Sequence, residues 1–180
     1  WGVSLESIAK GGFYHAGQVC VSVQRVFAPA AEASAFAARL ANIAEQLVVG
    51  APEDPNTEVG PLIRHGEVDR IASWVDEAVA TGAKLLCGGR RISDSCYGPT
   101  VLLNPAVDAK VSTMEIFGPV VCIYSYDDVE TAVKQANSLP VAFQAAVYCN
   151  DINTATKLAA KLDASAVMIN DHSAFRDDVM

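Results

Sequence analysis

Apolar side chains along this chain recur either every three to four residues or in short unbroken runs, and the two patterns alternate. Leu5, Ile8 and Ala9 stand at helical spacing within residues 4–14, a helix that ends at Gly11–Gly12 or just beyond. Residues 19–27 are rich in β-branched side chains and are punctuated by Pro29, which predicts a strand. In the Ala-rich stretch 30–48, Phe36, Leu40, Ile43 and Leu47 mark one apolar face at spacings of four, three and four, a helix pattern. Residues 50–61 hold Pro52, Pro55, Pro61, Asn56 and two glycines, so they form an irregular loop. Val68, Ile71, Val75 and Val79 place residues 64–81 in a helix stopped by Gly82. A short strand at 84–87 then ends at Gly88–Gly89. Residues 100–103, 119–126, 145–149 and 166–169 are further extended pieces. Between them run helices from Asp127 or Asp128 to about Ser138 and from Asp151 to Leu162, each opened by an aspartate suited to the N-cap.

Continuously apolar strands separated by helices predict one α/β domain over residues 1–180. It has three layers: a mostly parallel sheet with helices on both faces. Composition agrees, since 180 residues with 51% hydrophobic and 19% charged side chains suffice for a buried core and exclude a disordered chain. No run approaches the ~18–20 apolar residues of a membrane span, and no basic-then-apolar leader pattern is visible at the amino end. With 21 acidic against 13 basic residues, a net charge of -8 and no Lys/Arg cluster, neither nucleic acid nor a membrane is expected as a partner. Cys20, Cys87, Cys96, Cys122 and Cys149 form no CxxC pair. This odd, scattered set argues against a disulfide framework and against a metal site, and it points to a reducing, cytoplasmic setting.

The segment Phe13-Tyr14-His15-Ala16-Gly17-Gln18-Val19-Cys20 carries the most chemical information. A cysteine closing a Gly-containing turn between helix and strand brings its thiol and its backbone N–H to the same space, a nucleophile beside an oxyanion donor. The plainer alternative is a small buried hydrophobe. His15, His65 and His172 are dispersed and carry no motif for a Cys–His hydrolase dyad with Cys20. The glycine doublets give neither GxGxxG nor GxxxxGK[ST], so they predict turns rather than a phosphate loop.

Phe13-x-x-x-Gly17-Gln18-x-Cys20, followed by Arg25-Val26, resembles the active-site cysteine signature of the NAD(P)-dependent aldehyde dehydrogenases. About a hundred residues on, Glu115-Ile116-Phe117-Gly118-Pro119-Val120 is similar to that family's E-x-F-G-P segment. Asp54-Pro55 with Gly60-Pro61-Leu62, the stretch from Gly82-Ala83-Lys84 to Gly89, Ala136-Asn137, and Val167 to Asn170 match further family segments in order. The resemblance implies the fold of that family's catalytic domain. It also implies that the Cys20 thiolate attacks an aldehyde to form a thiohemiacetal, and that hydride then passes to a nicotinamide, leaving a thioester. Glu115 would accept hydrogen bonds from the nicotinamide ribose, and Phe117 would pack beside that ring or ribose. Val19, Val21 and Phe175 would line the small-molecule aldehyde's path. Asn170 would hydrogen-bond backbone near the cysteine. Glu67 and Arg70 lie near positions that touch the adenosine ribose in some members, although a solvated helix face is the simpler expectation for them.

By the same resemblance, a Rossmann-type domain should precede this chain and bind most of the NAD or NADP. The oxyanion-hole Asn and the general-base Glu of an E-L-G-G-K type motif would also lie there, since Glu6 is the one carboxylate before Cys20. A Pro-Phe-Gly-Gly segment and an oligomerisation strand should follow, giving a homodimeric or homotetrameric parent with this chain alone inactive. Alternatives at this stage are a coenzyme A-acylating aldehyde dehydrogenase and a non-catalytic binding or assembly module.

Overall fold

The computed structural model describes residues 2–141 and 143–173, and in it helices and strands alternate as the apolar pattern requires. Helix α1 (Gly2–Phe13) runs through a 3-10 turn (Tyr14–Gly17) towards β1 (Arg25–Pro29) and α2 (Ala30–Gln46). After an irregular loop come α3 (His65–Ala80), β2 (Lys84–Cys87), β3 (Thr100–Leu103), the short α4 (Lys110–Thr113) and β4 (Val120–Tyr126). The last described elements are α5 (Val129–Ala136), β5 (Gln144–Val147), α6 (Ile152–Ala159) and β6 (Ala166–Ile169).

Strands β1, β4 and β3 pair in parallel and β2 adds antiparallel to β3, in the order β1-β4-β3-β2. The mostly parallel α/β architecture is therefore as the sequence implies, with one difference. Strands β5 and β6 form a separate parallel pair rather than joining the larger sheet. The reason is spatial: β1 and β5 line a cleft of about 480 Å³, with Phe27 and Phe143 among its walls, in place of a shared hydrogen-bond ladder.

Both faces of the larger sheet are covered, because β3 is buried throughout and β4 over its first five residues. Alternation along β4 sorts the layers. On one face, Val121 stands so close to α1 that a Cβ on Gly12 would lie 2.5 Å from its Cγ2. On the other, the Tyr124 hydroxyl donates to Ser112 Oγ of α4 at 2.8 Å. The core between these layers takes Leu5 and Ile8 from α1, Phe36 and Leu40 from α2, and Val68, Ile71 and Val75 from α3. Of the helical faces read from the sequence these members are buried, Ile43 and Leu47 are half-buried, and Val79 at the end of α3 is 40% exposed, Ala78 taking the buried position there.

The helix starts also follow the local chemistry. Asp128 accepts from the N–H groups of Glu130 and Thr131, and Asp151 from that of Thr154. Their carboxyls are held below the ordinary range, chiefly by the Thr131 and Thr154 hydroxyls and then by these N–H groups. At the other end of α5, the Arg25 guanidinium donates to the carbonyls of Gln135 and Ala136, where the helix leaves acceptors unfilled.

One predicted strand is shorter than its β-branched run. Strand β1 starts at Arg25, not at residue 19, because Ser22 N–H donates to Val19 O and closes a turn. Val23 N–H and Ser22 Oγ then donate to Gly11 O at the end of α1 instead of to a sheet neighbour. Helix α4, four residues long, is too short to show a period. No helix of the described residues is long and apolar enough to cross a membrane.

Leu40 is fully buried, whereas Ile63 is 77% exposed. Leu40→Ala should cost about 2–5 kcal/mol in urea unfolding, and Ile63→Ala less than about 0.5 kcal/mol. Equal losses would contradict this account of the core.

Candidate functional site

The chain leaves α1 through three successive left-handed residues, His15, Ala16 and Gly17, with φ of 50°, 54° and 69°. Such conformations strain any residue with a Cβ, so packing must hold His15 and Ala16 there. Ala16 is buried at 1% exposure. At Gly17 the constraint is absolute, since a Cβ would lie 2.1 Å from the carbonyl oxygen of Gly118. Gly118 in turn rests on α3, where a Cβ of its own would lie 2.2 Å from Ile71 Cδ1. Two loops far apart in sequence are thereby stacked backbone on backbone.

That stacking gathers Cys20, Val19, Glu115 and Phe117 around one hollow of about 70 Å³. Cys20 is the one exposed thiol of the five; Cys87, Cys96 and Cys122 are buried, and Cys149 is half-buried. Burial pushes the Cys87 thiol up to about 11 and the Cys122 thiol up to about 12, which keeps both protonated and inert near neutrality. The Cys20 N–H has no acceptor among the described residues. Tyr14 lies in the same neighbourhood: its hydroxyl is pushed up by burial and then by the nearby Cys20 thiolate.

Opposite the thiol, the exposed Glu115 carboxylate has no hydrogen-bond or ion-pair partner among the described residues. Phe117 holds φ at 51° and is 41% exposed. Polar side chains fix the backbone of both loops. Gln18 donates to His15 O and Pro61 O and accepts from Ile63 N–H, tying the cysteine turn to the segment before α3. Gln24 bonds the backbone on both sides of Glu115. Arg70 donates from Nη2 to Ile116 O at 2.6 Å, pairs with Glu67 at 2.8 Å, and lies over the Trp74 ring.

Several expectations come out differently. Val21 is 3% exposed and is not among the residues lining the hollow, because the turn at Val19–Ser22 removes the strand alternation that would keep residues 19 and 21 on one side. Glu67 and Arg70 are not a solvated face; Arg70 braces the loop that carries Glu115. Asn170 binds the backbone of Cys149 through both N–H and C=O, joining the ends of β5 and β6, and not the backbone of Cys20. Phe175 lies outside the described residues. Two residues before it, Ser173 donates to Val21 O at 2.7 Å, so the segment leading there does reach the cysteine turn. Gln24 and Arg70 carry contacts that no local pattern announces, since both depend on residues more than forty positions away.

Residues 3–180 match the profile of the Aldehyde dehydrogenase family. A 3-sulfolactaldehyde dehydrogenase of Priestia aryabhattai is 40% identical over 173 residues, covering 96% of this chain and 36% of that protein. The crystal structure of aldehyde dehydrogenase 21 from Physcomitrella patens, in complex with the reaction product succinate, superposes with a TM-score of 0.94 at 32% identity. The match covers 100% of this chain and 37% of that protein. A glyceraldehyde-3-phosphate dehydrogenase from Methanocaldococcus jannaschii, complexed with NADP, gives 0.93 at 36% identity, over 99% of this chain and 39% of the other. The chain thus spans about 36% of the length of the curated relatives it matches.

Gly17→Ala should destabilise by roughly 2–3 kcal/mol, through the clash with Gly118 and the left-handed φ. Gly66→Ala, in open space in the first turn of α3, should be neutral or stabilising by up to ~1 kcal/mol. Urea titration of both variants checks the pair, and a tolerated Gly17→Ala would contradict the stacked-loop geometry. In the native protein at pH 8, iodoacetamide should label Cys20 well before Cys87 or Cys122, and all five thiols should react in denaturant. Peptide mapping by mass spectrometry reads the order.

Proposed function

This chain belongs to the aldehyde dehydrogenase family, and from that premise we propose that it is the thiol-bearing catalytic part of a longer enzyme that oxidises an aldehyde to a carboxylate with NAD or NADP. The observation that carries the proposal is the hollow: an exposed thiol, a backbone N–H and a carboxylate that have no partner among the described residues, and an exposed aromatic residue, brought together from two distant loops.

In this reading the Cys20 thiolate attacks the aldehyde carbon, a C–S bond forms, and the carbonyl electron pair moves onto oxygen. The Cys20 N–H donates to that oxyanion as its charge develops. Val19, and Phe175 beyond the described residues, contact the substrate. Loss of hydride from the adduct leaves a thioester on Cys20, which water then cleaves to the carboxylate. The base that activates the water belongs, in this proposal, to a domain preceding the chain.

The residues present suit one end of a nicotinamide cofactor. Glu115 offers two carboxylate oxygens to a ribose diol, and Phe117 offers an apolar surface to a flat ring, but a hollow of about 70 Å³ is too small for a dinucleotide. Most of its binding therefore falls to the same preceding domain. When bound, the nicotinamide supplies the hydride acceptor. Among the described residues no Lys or Arg lines the hollow, so selection of an anionic aldehyde would draw its cation from elsewhere. A cytoplasmic setting belongs to the proposal, supported by five unpaired thiols. So does a homodimeric or homotetrameric parent, which rests on the family resemblance alone.

The test is NAD(P)H formation by the full-length protein bearing this chain, with short neutral aldehydes and with anionic ones such as 3-sulfolactaldehyde. Cys20→Ser should lower kcat by roughly 10³-fold or more, and the 180-residue chain alone should show no steady turnover. Undiminished activity in the Cys20→Ser enzyme would overturn the role of the thiol.

A further inference from the structure

We propose that Gln24 is a positioning residue that sets the place of Glu115, an inference that rests on the cofactor role proposed above for that carboxylate. Gln24 stands four residues after Cys20, immediately before β1, and lines the same hollow. Its backbone carbonyl accepts from Cys122 N–H at 2.8 Å, so β4 anchors it. From that anchor one side-chain amide reaches across to the other loop. Nε2 donates to Met114 O at 2.7 Å and to Val111 O at 3.2 Å, while Oε1 accepts from Ile116 N–H at 2.9 Å. Both amide hydrogens are used, and the peptide groups on either side of Glu115 are held by a single group.

This clamp matters because Glu115 has little else to place it. Its carboxylate has no partner among the described residues, and its neighbour Met114 is 54% exposed. Ile116 is buried at 1% and supplies an apolar anchor, and Arg70 holds the Ile116 carbonyl from the α3 side. An apolar anchor leaves the peptide planes around it free to rotate. Two directed hydrogen bonds flanking Glu115 do not. A group with no bond of its own takes its position from its backbone, and small displacements of a binding group are expensive in rate and affinity. The segment that carries the nucleophile thus also fixes the carboxylate opposite it.

The test is a double-mutant cycle in the full-length protein, using Gln24→Met, which keeps the shape and removes the hydrogen bonds, with Glu115→Ala. Gln24→Met should raise the KM for the nicotinamide cofactor about tenfold, leaving the KM for aldehyde and the rate of Cys20 alkylation within about twofold. In the Glu115→Ala background it should add less than about twofold. In the same full-length protein, exchange of the Ile116 amide hydrogen should accelerate about tenfold or more in Gln24→Met. Equal effects of Gln24→Met in both backgrounds would show a general structural role and overturn the inference. So would a cofactor KM that responds to Glu115→Ala but not to Gln24→Met. If Glu115→Ala leaves cofactor KM unchanged, the role of Glu115 itself fails, and the functional half of the inference with it. Unchanged exchange at Ile116 overturns the clamp.

Discussion

Gly17 lies so close to Gly118 that a Cβ would sit 2.1 Å from its carbonyl oxygen, and Gly118 lies as tightly on Ile71 of α3. The remainder of the site depends on this three-part stack. Without it, the turn bearing Cys20 and the loop bearing Glu115 would be two surface features 95 residues apart in sequence. With it, they share one small hollow and are referenced to the same helix. The cost is visible in the backbone. His15, Ala16 and Phe117 hold left-handed angles that residues with a Cβ rarely adopt, and burial of Ala16 and Ile116 supplies the compensating packing.

Polar side chains refine what the glycines allow. Gln18, Gln24 and Arg70 each direct hydrogen bonds to backbone groups of another segment, while Gln18 also bonds His15 O in its own turn and Arg70 pairs with Glu67 beside it. The result is a site left open for chemistry: an exposed thiol, with an N–H and a carboxylate that have no partner among the described residues. The contrast with the rest of the chain is electrostatic as much as steric. Buried thiols such as Cys87 and Cys122 are held protonated by the low-dielectric core, whereas the Cys20 thiol is exposed.

Elements set by local periodicity were legible in the sequence. The middles of α2 and α3 bury Phe36, Leu40, Val68, Ile71 and Val75 as the spacing predicts, whereas Val79 on the same predicted face is 40% exposed; of the two aspartates offered at the start of α5, Asp128 is the cap, and Asp151 caps α6. What escaped depends on tertiary partners. The β-branched run before Arg25 looks like strand, yet hydrogen bonds to Gly11 draw it into a turn, and that turn buries Val21. The gap between β1 and β5 leaves no local trace. Gln24 and Arg70 look like ordinary surface residues until the fold brings residues 111–116 beside them. Cys20, Glu115 and Phe117 were found through a resemblance of motifs; their meeting at one hollow is a property of the fold that spacing alone does not contain.

The proposed chemistry requires Cys20 and Glu115 to share that hollow. A short maleimide–hydrazide reagent, coupled first to the Cys20 thiol and then activated towards carboxylates, measures it directly when the linked peptides are identified by mass spectrometry. The geometry predicts that the dominant product joins Cys20 to Glu115. A distribution of links from Cys20 to other acidic residues, with Glu115 absent from it, would contradict the shared hollow and the function built on it.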